Sequence, residues 1–134
     1  MERTYVMLKP DAIKRGLAGE IIKRIEMKGY RISKMATMLL EPEILREHYA
    51  HVADQDFYPK MEAYMMSGLV LAMIVTGENV VAGVRILTGA TRFEEAKPGT
   101  IRGDYAMSTT FNLVHSSDSK ENAEIEISRF FGDE

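Results

Sequence analysis

The chain has 134 residues, of which 46% are hydrophobic and 28% charged, with a formal net charge of −3, three histidines and no cysteine. This is enough chain for one domain, residues 1–134, with a real core. It excludes a disulfide frame, a thiol nucleophile and a thiolate metal site, and it argues against a nucleic-acid surface built on bulk positive charge. The histidines lack HxH or HExxH spacing, so no metal held mainly by protein ligands is expected. The longest apolar run, Leu69 to Val75, is too short to span a bilayer. Glu2 and Arg3 are followed at once by a strand-like run, so no signal peptide is expected and the expected location is cytoplasmic.

Thr4 to Leu8 is β-branched and aromatic, and Lys9-Pro10-Asp11 ends it as a strand, because proline cannot donate to a ladder. Lys9 therefore projects from a strand end, a common place for ligand-binding residues and equally for a solvated lysine. Leu17, Ile21, Ile22 and Ile25 form a helical stripe stopped by Gly29. Tyr30, Ile32, Ala36, Met38 and Leu40 alternate as a strand, interrupted only by Lys34. Pro42 opens a helix carrying Leu45, His48 and Tyr49, and a further helix runs from Phe57 to Met66. Leu69 to Val75 is apolar throughout, the mark of a central strand buried on both faces. Val80, Val81, Val84 and Leu87 give a helix ending near Gly89. Residues 90 to 111 show no period, and a loop of that length in a small domain is usually functional. This order suits an α+β sandwich with helices on one face of a mostly antiparallel sheet.

The chemistry converges on Asn112-Leu113-Val114-His115-Ser116-Ser117-Asp118-Ser119. An apolar lead-in delivers a histidine, and Ser-Ser-Asp-Ser is a helix-entry composition, with Glu121 three residues after Asp118 as in a capping box. His115 is thus expected where an extended segment meets a helix N-terminus, a place suited to an anionic ligand. In that last helix Ala123, Ile127, Phe130 and Phe131 mark one face, and Glu126 points towards it. An inward carboxylate needs a partner. One candidate is His115, where it would fix the ring tautomer and free the other nitrogen to attack; the other is Arg129 or solvent. Arg85 and Arg102, the latter inside Gly99-Thr100-Ile101-Arg102-Gly103, could hold phosphate bidentately or lie on the surface. GxxxxGK[ST] and GxGxxG are both absent, so neither a P-loop nor a Rossmann site is on offer.

Lys9-Pro10-Asp11, His48-Tyr49, Ser67-Gly68, Arg85, Gly89-Ala90-Thr91, Pro98-Gly99-Thr100-Ile101-Arg102-Gly103-Asp104 and Asn112-x-x-His115-x-Ser117-Asp118-Ser119, with Ala123 and Glu126-Ile127, occur in an order that resembles nucleoside diphosphate kinases from end to end. The resemblance implies a ferredoxin-like α/β sandwich with a four-stranded sheet. It also implies ping-pong transfer of a terminal phosphate from a nucleoside triphosphate, such as ATP, to a nucleoside diphosphate. On the same basis His115 is the nucleophile, positioned by Glu126 and Ser117. Lys9 and Asn112 hold the sugar hydroxyls and reach the transferring group, and Tyr49 lies beside the terminal phosphate. Arg85, Thr91 and Arg102 clamp phosphates. The base lies between an aromatic at Tyr58, next to Phe57, and the loop at Thr109. Magnesium arrives on the nucleotide phosphates, near Asp118.

The chain departs from the family pattern in four places. Ser116 stands where glycine is usual and would be strained if that position needs a positive φ. Gln55-Asp56-Phe57-Tyr58 replaces Arg-Pro-Phe-Phe, Leu69 replaces a proline, and Arg92-Phe93 replaces Asn-Pro. A nucleotide-binding regulatory module of weakened activity and a plain interaction domain of the same shape remain as alternatives. The resemblance further implies a homo-oligomer: a hexamer of edge-paired dimers around a threefold contact made by residues 90 to 111, or a tetramer of the same dimers. Neither nucleic acid nor membrane is required as a partner.

Overall fold

Strands β1 (Arg3–Leu8) and β3 (Val70–Thr76) are apolar without a break from Tyr5 to Leu8 and from Val70 to Val75, and this decides the architecture. A strand that is apolar on both faces must be covered on both. The computed structural model, which describes residues 1–132, does that with seven helices. They are α1 (Pro10–Lys14), α2 (Ala18–Lys28), α3 (Pro42–His48), α4 (Tyr58–Met65), α5 (Val80–Thr88), α6 (Ile101–Tyr105) and α7 (Lys120–Phe131). With β2 (Arg31–Met38) and β4 (Val114–Ser116) the strands make one antiparallel sheet in the order β2-β3-β1-β4. That order, with β1-α2-β2 and β3-α5-β4 as its halves, is the ferredoxin-like fold.

Val6, Leu8, Met73 and Val75 pack against Ile21 and Ile25 of α2 and Val80 and Val84 of α5. On the opposite face Tyr5, Met7, Ala72 and Ile74 pack against Leu45 of α3, Met65 of α4 and Ile127 of α7. The expectation of helices on one face is therefore corrected. The ferredoxin-like pair covers one side only, and α3, α4 and α7 supply the second layer. Each wholly buried aliphatic side chain in these two cores contributes about 1.5–3 kcal/mol.

Strand β2 explains the lysine that interrupts its alternation. A bulge between Ile32 and Lys34 inserts Ser33, so Ile32 sits opposite Val75 while Lys34 sits opposite Ile74. One extra residue exchanges the faces of a strand. Ile32 accordingly joins the α2/α5 core and Met38 joins the α3/α4/α7 core. Lys34 reaches the second layer, with its Nζ 5.2 Å from the centre of the Phe131 ring.

The segment from residue 90 to 111 is not the unstructured loop expected. It holds a 3-10 turn (Phe93–Glu95) and α6, whose Ile101 is buried in the α2/α5 core. Thr100 caps α6 by accepting from the Gly103 amide at 2.9 Å and donating to Lys97 O at 2.6 Å. A Cβ at Gly103 would stand 1.9 Å from that same carbonyl oxygen, which explains the glycine. Among the described residues no helix is long and apolar enough to cross a membrane.

Candidate active site

Strand β4 is only three residues long, and what precedes it aims it. Leu113 has φ +77°, and the Val114 amide donates to Asn112 O at 2.9 Å, so the chain reverses through a tight γ-turn. A left-handed leucine persists only where its surroundings over-determine it. Leu113 is wholly buried, and its carbonyl accepts from the Lys9 amide at 2.8 Å. The strain expected at Ser116 is thus found three residues earlier. Ser116 itself lies in the ladder opposite Val6, where any residue is at ease.

The turn ties the first strand's end to the site. Lys9 Nζ donates to Asn112 Oδ1 at 2.7 Å, and Asn112 Nδ2 donates to Thr91 O at 3.3 Å. The Lys9 amide pairs with Leu113 O and the Ser117 amide with Tyr5 O, so His115 pairs with Met7 while Val114 and Ser116 turn their backbone groups to the free edge. Two arginines cover that edge in place of a fifth strand. Arg102 donates through Nη2 to Val114 O, through Nε to Asn112 O at 3.3 Å and through Nη1 to Gly89 O at 2.8 Å. Arg85 Nη1 donates to Ser116 O at 3.2 Å. Of the five N–H bonds on the Arg102 guanidinium, two remain for a ligand.

Helix α7 supplies the carboxylate. Ser119 rather than Asp118 is its N-cap, accepting from the Asn122 amide at 3.1 Å. Two turns on, Glu126 Oε1 lies 2.9 Å from His115 Nε2 and accepts from the Ser117 hydroxyl at 2.6 Å. The open choice of partner for Glu126 falls to His115; Arg129 bonds His48 instead. Burial pushes the Glu126 carboxyl pKa up, but the hydrogen bonds from His115 and Ser117 and the nearby charge outweigh it, and the net shift is downward. An ionised Glu126 has only lone pairs to offer, so in the neutral ring Nε2 carries the proton and Nδ1 the lone pair.

His115 opens into a cleft of about 420 Å³. Lys9, Tyr49, Arg85, Thr91, Arg102, Thr109 and Asn112, all named from the sequence, line it, and so does Phe57. Four cations face it, Lys9, Lys60, Arg85 and Arg102, and no carboxylate lines it. Burial, with Arg102 adding repulsion and Asp11 opposing, pulls Lys9 down to about 8; burial, then Arg85, pulls Arg102 down to about 10. Crowded cations of this kind are relieved by an anion, and phosphate oxygens match both guanidinium and ammonium donors. The Tyr49 hydroxyl is raised, by burial first and then by Glu126 and Tyr58, and stays protonated as a donor. A wider hollow of about 680 Å³ beside Met1, Glu2 and Glu78 has both its cationic side chains paired already, Arg3 with Glu124 and Lys120 with Glu2.

Two expected placements are corrected. Tyr58 opens α4 with its ring turned inward, 3% exposed, and does not reach the cleft. The preceding Phe57, 54% exposed at the helix N-cap, presents the aromatic face there, opposite Thr109. Asp118 lies on the other side of His115, in the groove it shares with Glu47 and Arg129, where it accepts from Asn122 Nδ2 at 2.6 Å. It does not line the cleft. With cations and no carboxylates on its walls, the cleft fits a divalent ion that enters already held by phosphates, not one waiting on protein ligands.

Comparison with known proteins agrees with this geometry. The family described as "Nucleoside diphosphate kinase" matches residues 2–134. A nucleoside diphosphate kinase of Thermoanaerobacter sp. (strain X514) is 50% identical over 131 residues, 98% of this chain and 97% of that protein. Among solved structures, the apo nucleoside diphosphate kinase of Encephalitozoon cuniculi superposes with a TM-score of 0.96 at 47% identity, covering 99% of this chain and 90% of that one. The Halobacterium salinarum enzyme in complex with CDP gives a TM-score of 0.94 at 42% identity, over 98% and 88% of the two chains.

Proposed function

The chain belongs to the nucleoside diphosphate kinase family, and on that premise we propose that its phosphate transfer runs through a phosphohistidine at His115. One observation carries this reading. His115 is pinned at Nε2 by Glu126, so its Nδ1 lone pair is left beside a cleft walled by Lys9, Arg85 and Arg102. In the first half-reaction Nδ1 forms a bond to the terminal phosphorus of a nucleoside triphosphate. The bond to the bridging oxygen breaks, and the diphosphate leaves with its electrons. In the second half-reaction a terminal oxygen of another diphosphate attacks that phosphorus, and the N–P bond returns its electrons to Nδ1. Phosphoryl transfer needs positioning and charge neutralisation above all. Arg85, Arg102 and Thr91 hold phosphate oxygens, Tyr49 donates beside the terminal phosphate, and Lys9 and Asn112 take the sugar hydroxyls and the oxygens in flight. Glu126 and Ser117 hold the ring through both steps. Magnesium, carried in by the phosphates, neutralises their oxygens when bound. Phe57 offers the base a stacking face opposite Thr109, and stacking accepts every base.

We assign these roles to one domain over residues 1–134, working in the cytoplasm. We further propose a hexamer, or a tetramer of the same dimers. Supporting it are the unpaired outer edge of β2 and the apolar side chains of Met35, Met107 and Phe111, which are 44%, 74% and 42% exposed. Light scattering coupled to size exclusion should give six or four chains; a monomer at micromolar concentration would end this part of the reading. For the chemistry, incubation with γ-labelled ATP should give an acid-labile, alkali-stable phosphoprotein whose label passes to GTP on a chase with GDP. Label that persists in His115→Ala, or that never reaches GDP, refutes the route.

A further inference from the structure

Behind the nucleophile lies a histidine that none of these roles uses. His48, the last residue of α3, is 7% exposed. Its ring meets the His115 ring at 4.6 Å between centroids and 80° between planes. Phe130, at 5.2 Å, supports it, and Phe130 is stacked in turn on Tyr5 at 4.7 Å and 10°. On α7, Arg129 Nη1 lies 2.8 Å from His48 Nδ1, and its Nε lies 3.8 Å from Glu47 Oε2. A guanidinium has only donors, so His48 Nδ1 must accept and the proton of the neutral ring sits on Nε2. A metal centre is the obvious competing reading, since His48, His115 and Glu126 each bring a ligand atom within 4.8 Å of the others. The tautomer opposes it. Arg129 already holds the only lone pair of His48, and the Nε2 of His115 donates to Glu126.

We propose that His48 is a positioning residue for the phosphoryl-transfer step, acting through the His115 ring. Arg129 fixes it as an uncharged ring, and that ring walls the nucleophile so that Nδ1 stays turned to the cleft. The inference rests on the phosphohistidine reading. It adds that Glu126 alone does not hold the ring. A carboxylate anchors one ring nitrogen at a point and leaves the plane free to swing about it; a flat neighbour at 80° removes that swing. Neutrality has its own function. The phosphorylated ring is cationic when Nε2 keeps its proton, and a second cation 4.6 Å away would oppose its formation. Burial first, then the charges of His115, Arg129 and Lys9, with Glu126 opposing, bring His48 down to about 3, so it stays uncharged throughout the working range.

The test separates wall from scaffold with the full-length chain. The readouts are the single-turnover labelling rate of His115 from γ-labelled ATP, the Kd for ADP, and nitrogen–proton NMR of the His48 ring. In the unmodified chain the Nε2-protonated tautomer should dominate. His48→Phe keeps the wall and strips Arg129 of its acceptor, so it should melt lower yet label close to the unmodified rate. His48→Asn gives Arg129 a carbonyl and removes the wall, so it should melt near the unmodified chain. Its labelling should slow about tenfold or more, the range seen when the outer partner of a metal-bound histidine is lost, with Kd unchanged. An Asn variant as fast as the unmodified chain, a Phe variant as slow as His48→Ala, or losses in rate and Kd of equal size would each overturn the proposal. So would a mixed tautomer in the unmodified chain, a result that needs no variant to fold. Labelling that survives His115→Ala would refute the phosphohistidine route instead, and the tautomer measurement would still judge the wall.

Discussion

The two sides of His115 are built on opposite rules. On the cleft side, Lys9, Arg85 and Arg102 converge with no carboxylate among the lining residues. On the rear side the charged and polar groups answer one another: Glu126 with His115 and Ser117, Arg129 with His48, Asp118 with Asn122. The rear holds the nucleophile still by completing its hydrogen bonds, and the front receives a ligand by leaving donors over. Preorganisation and unfinished charge are thus divided between the two faces of one imidazole.

If that division is real, front residues should cost activity without stability. Arg85→Ala should lower the labelling rate by about 10²–10³-fold while thermal unfolding shifts by no more than about 1 kcal/mol, because Arg85 is exposed and gives up a single hydrogen bond, to Ser116 O. Arg102→Ala should break the pattern. It belongs to both sides, and besides the rate it should lose roughly 2–4 kcal/mol of stability, since three carbonyls give up a charged donor. If Arg102→Ala unfolds like Arg85→Ala, those bonds do not close the strand edge.

Next in size is Glu126→Gln, a rear change of charge without change of shape. Labelling should slow about 10–100-fold with ADP affinity unchanged; a large affinity loss at unchanged rate would put Glu126 in the binding site instead. The smallest effect concerns Lys9. Its folded-state pKa of about 8 lies below its ordinary value of 10.5. Below about 8 the folded protein carries the penalty of a buried cation, and as pH rises from 8 to 10.5 that penalty fades, so stability rises there. In the folded protein the cation that binds phosphate is lost around pH 8, at the foot of that range. kcat/KM should therefore fall above about pH 8 while stability contributed by Lys9 rises, and a kcat/KM flat to pH 9.5 would remove Lys9 from the reacting centre.

Much of this was legible in the sequence, and the exceptions share a cause. The central strand, the Gly29 stop and the inward Glu126 were readable because each is a local pattern or a period. Helix α6 was not, since five residues make too little of a turn cycle to show a period. Tyr58 and Phe57 are adjacent aromatics at a helix start, and which one faces inward depends on where the helix begins, to within one residue. The positive φ fell on Leu113 and not on Ser116, because strain follows the path into β4 and no side-chain pattern marks that path. The second layer of helices was implied by a strand apolar on both faces, and assigning helices to one face alone contradicted it.

The extra residue at Ser33 divides the outermost strand between the two cores. Its hydroxyl ties the bulge to the neighbouring strand through Ile74 O at 3.2 Å and Thr76 Oγ1 at 3.0 Å. Removing that one codon would leave the composition of β2 almost unchanged. It would also leave Ile32 opposite Val75 and Lys34 opposite Ile74 as neighbours in a regular ladder, with every position to Met38 on its present face; a codon lost after Lys34 would instead exchange the faces of all that follow it. For a lineage, β2 thus accepts substitutions freely at its exposed positions and single-residue deletions only at the bulge itself. Length, more than identity, is the heritable constraint there.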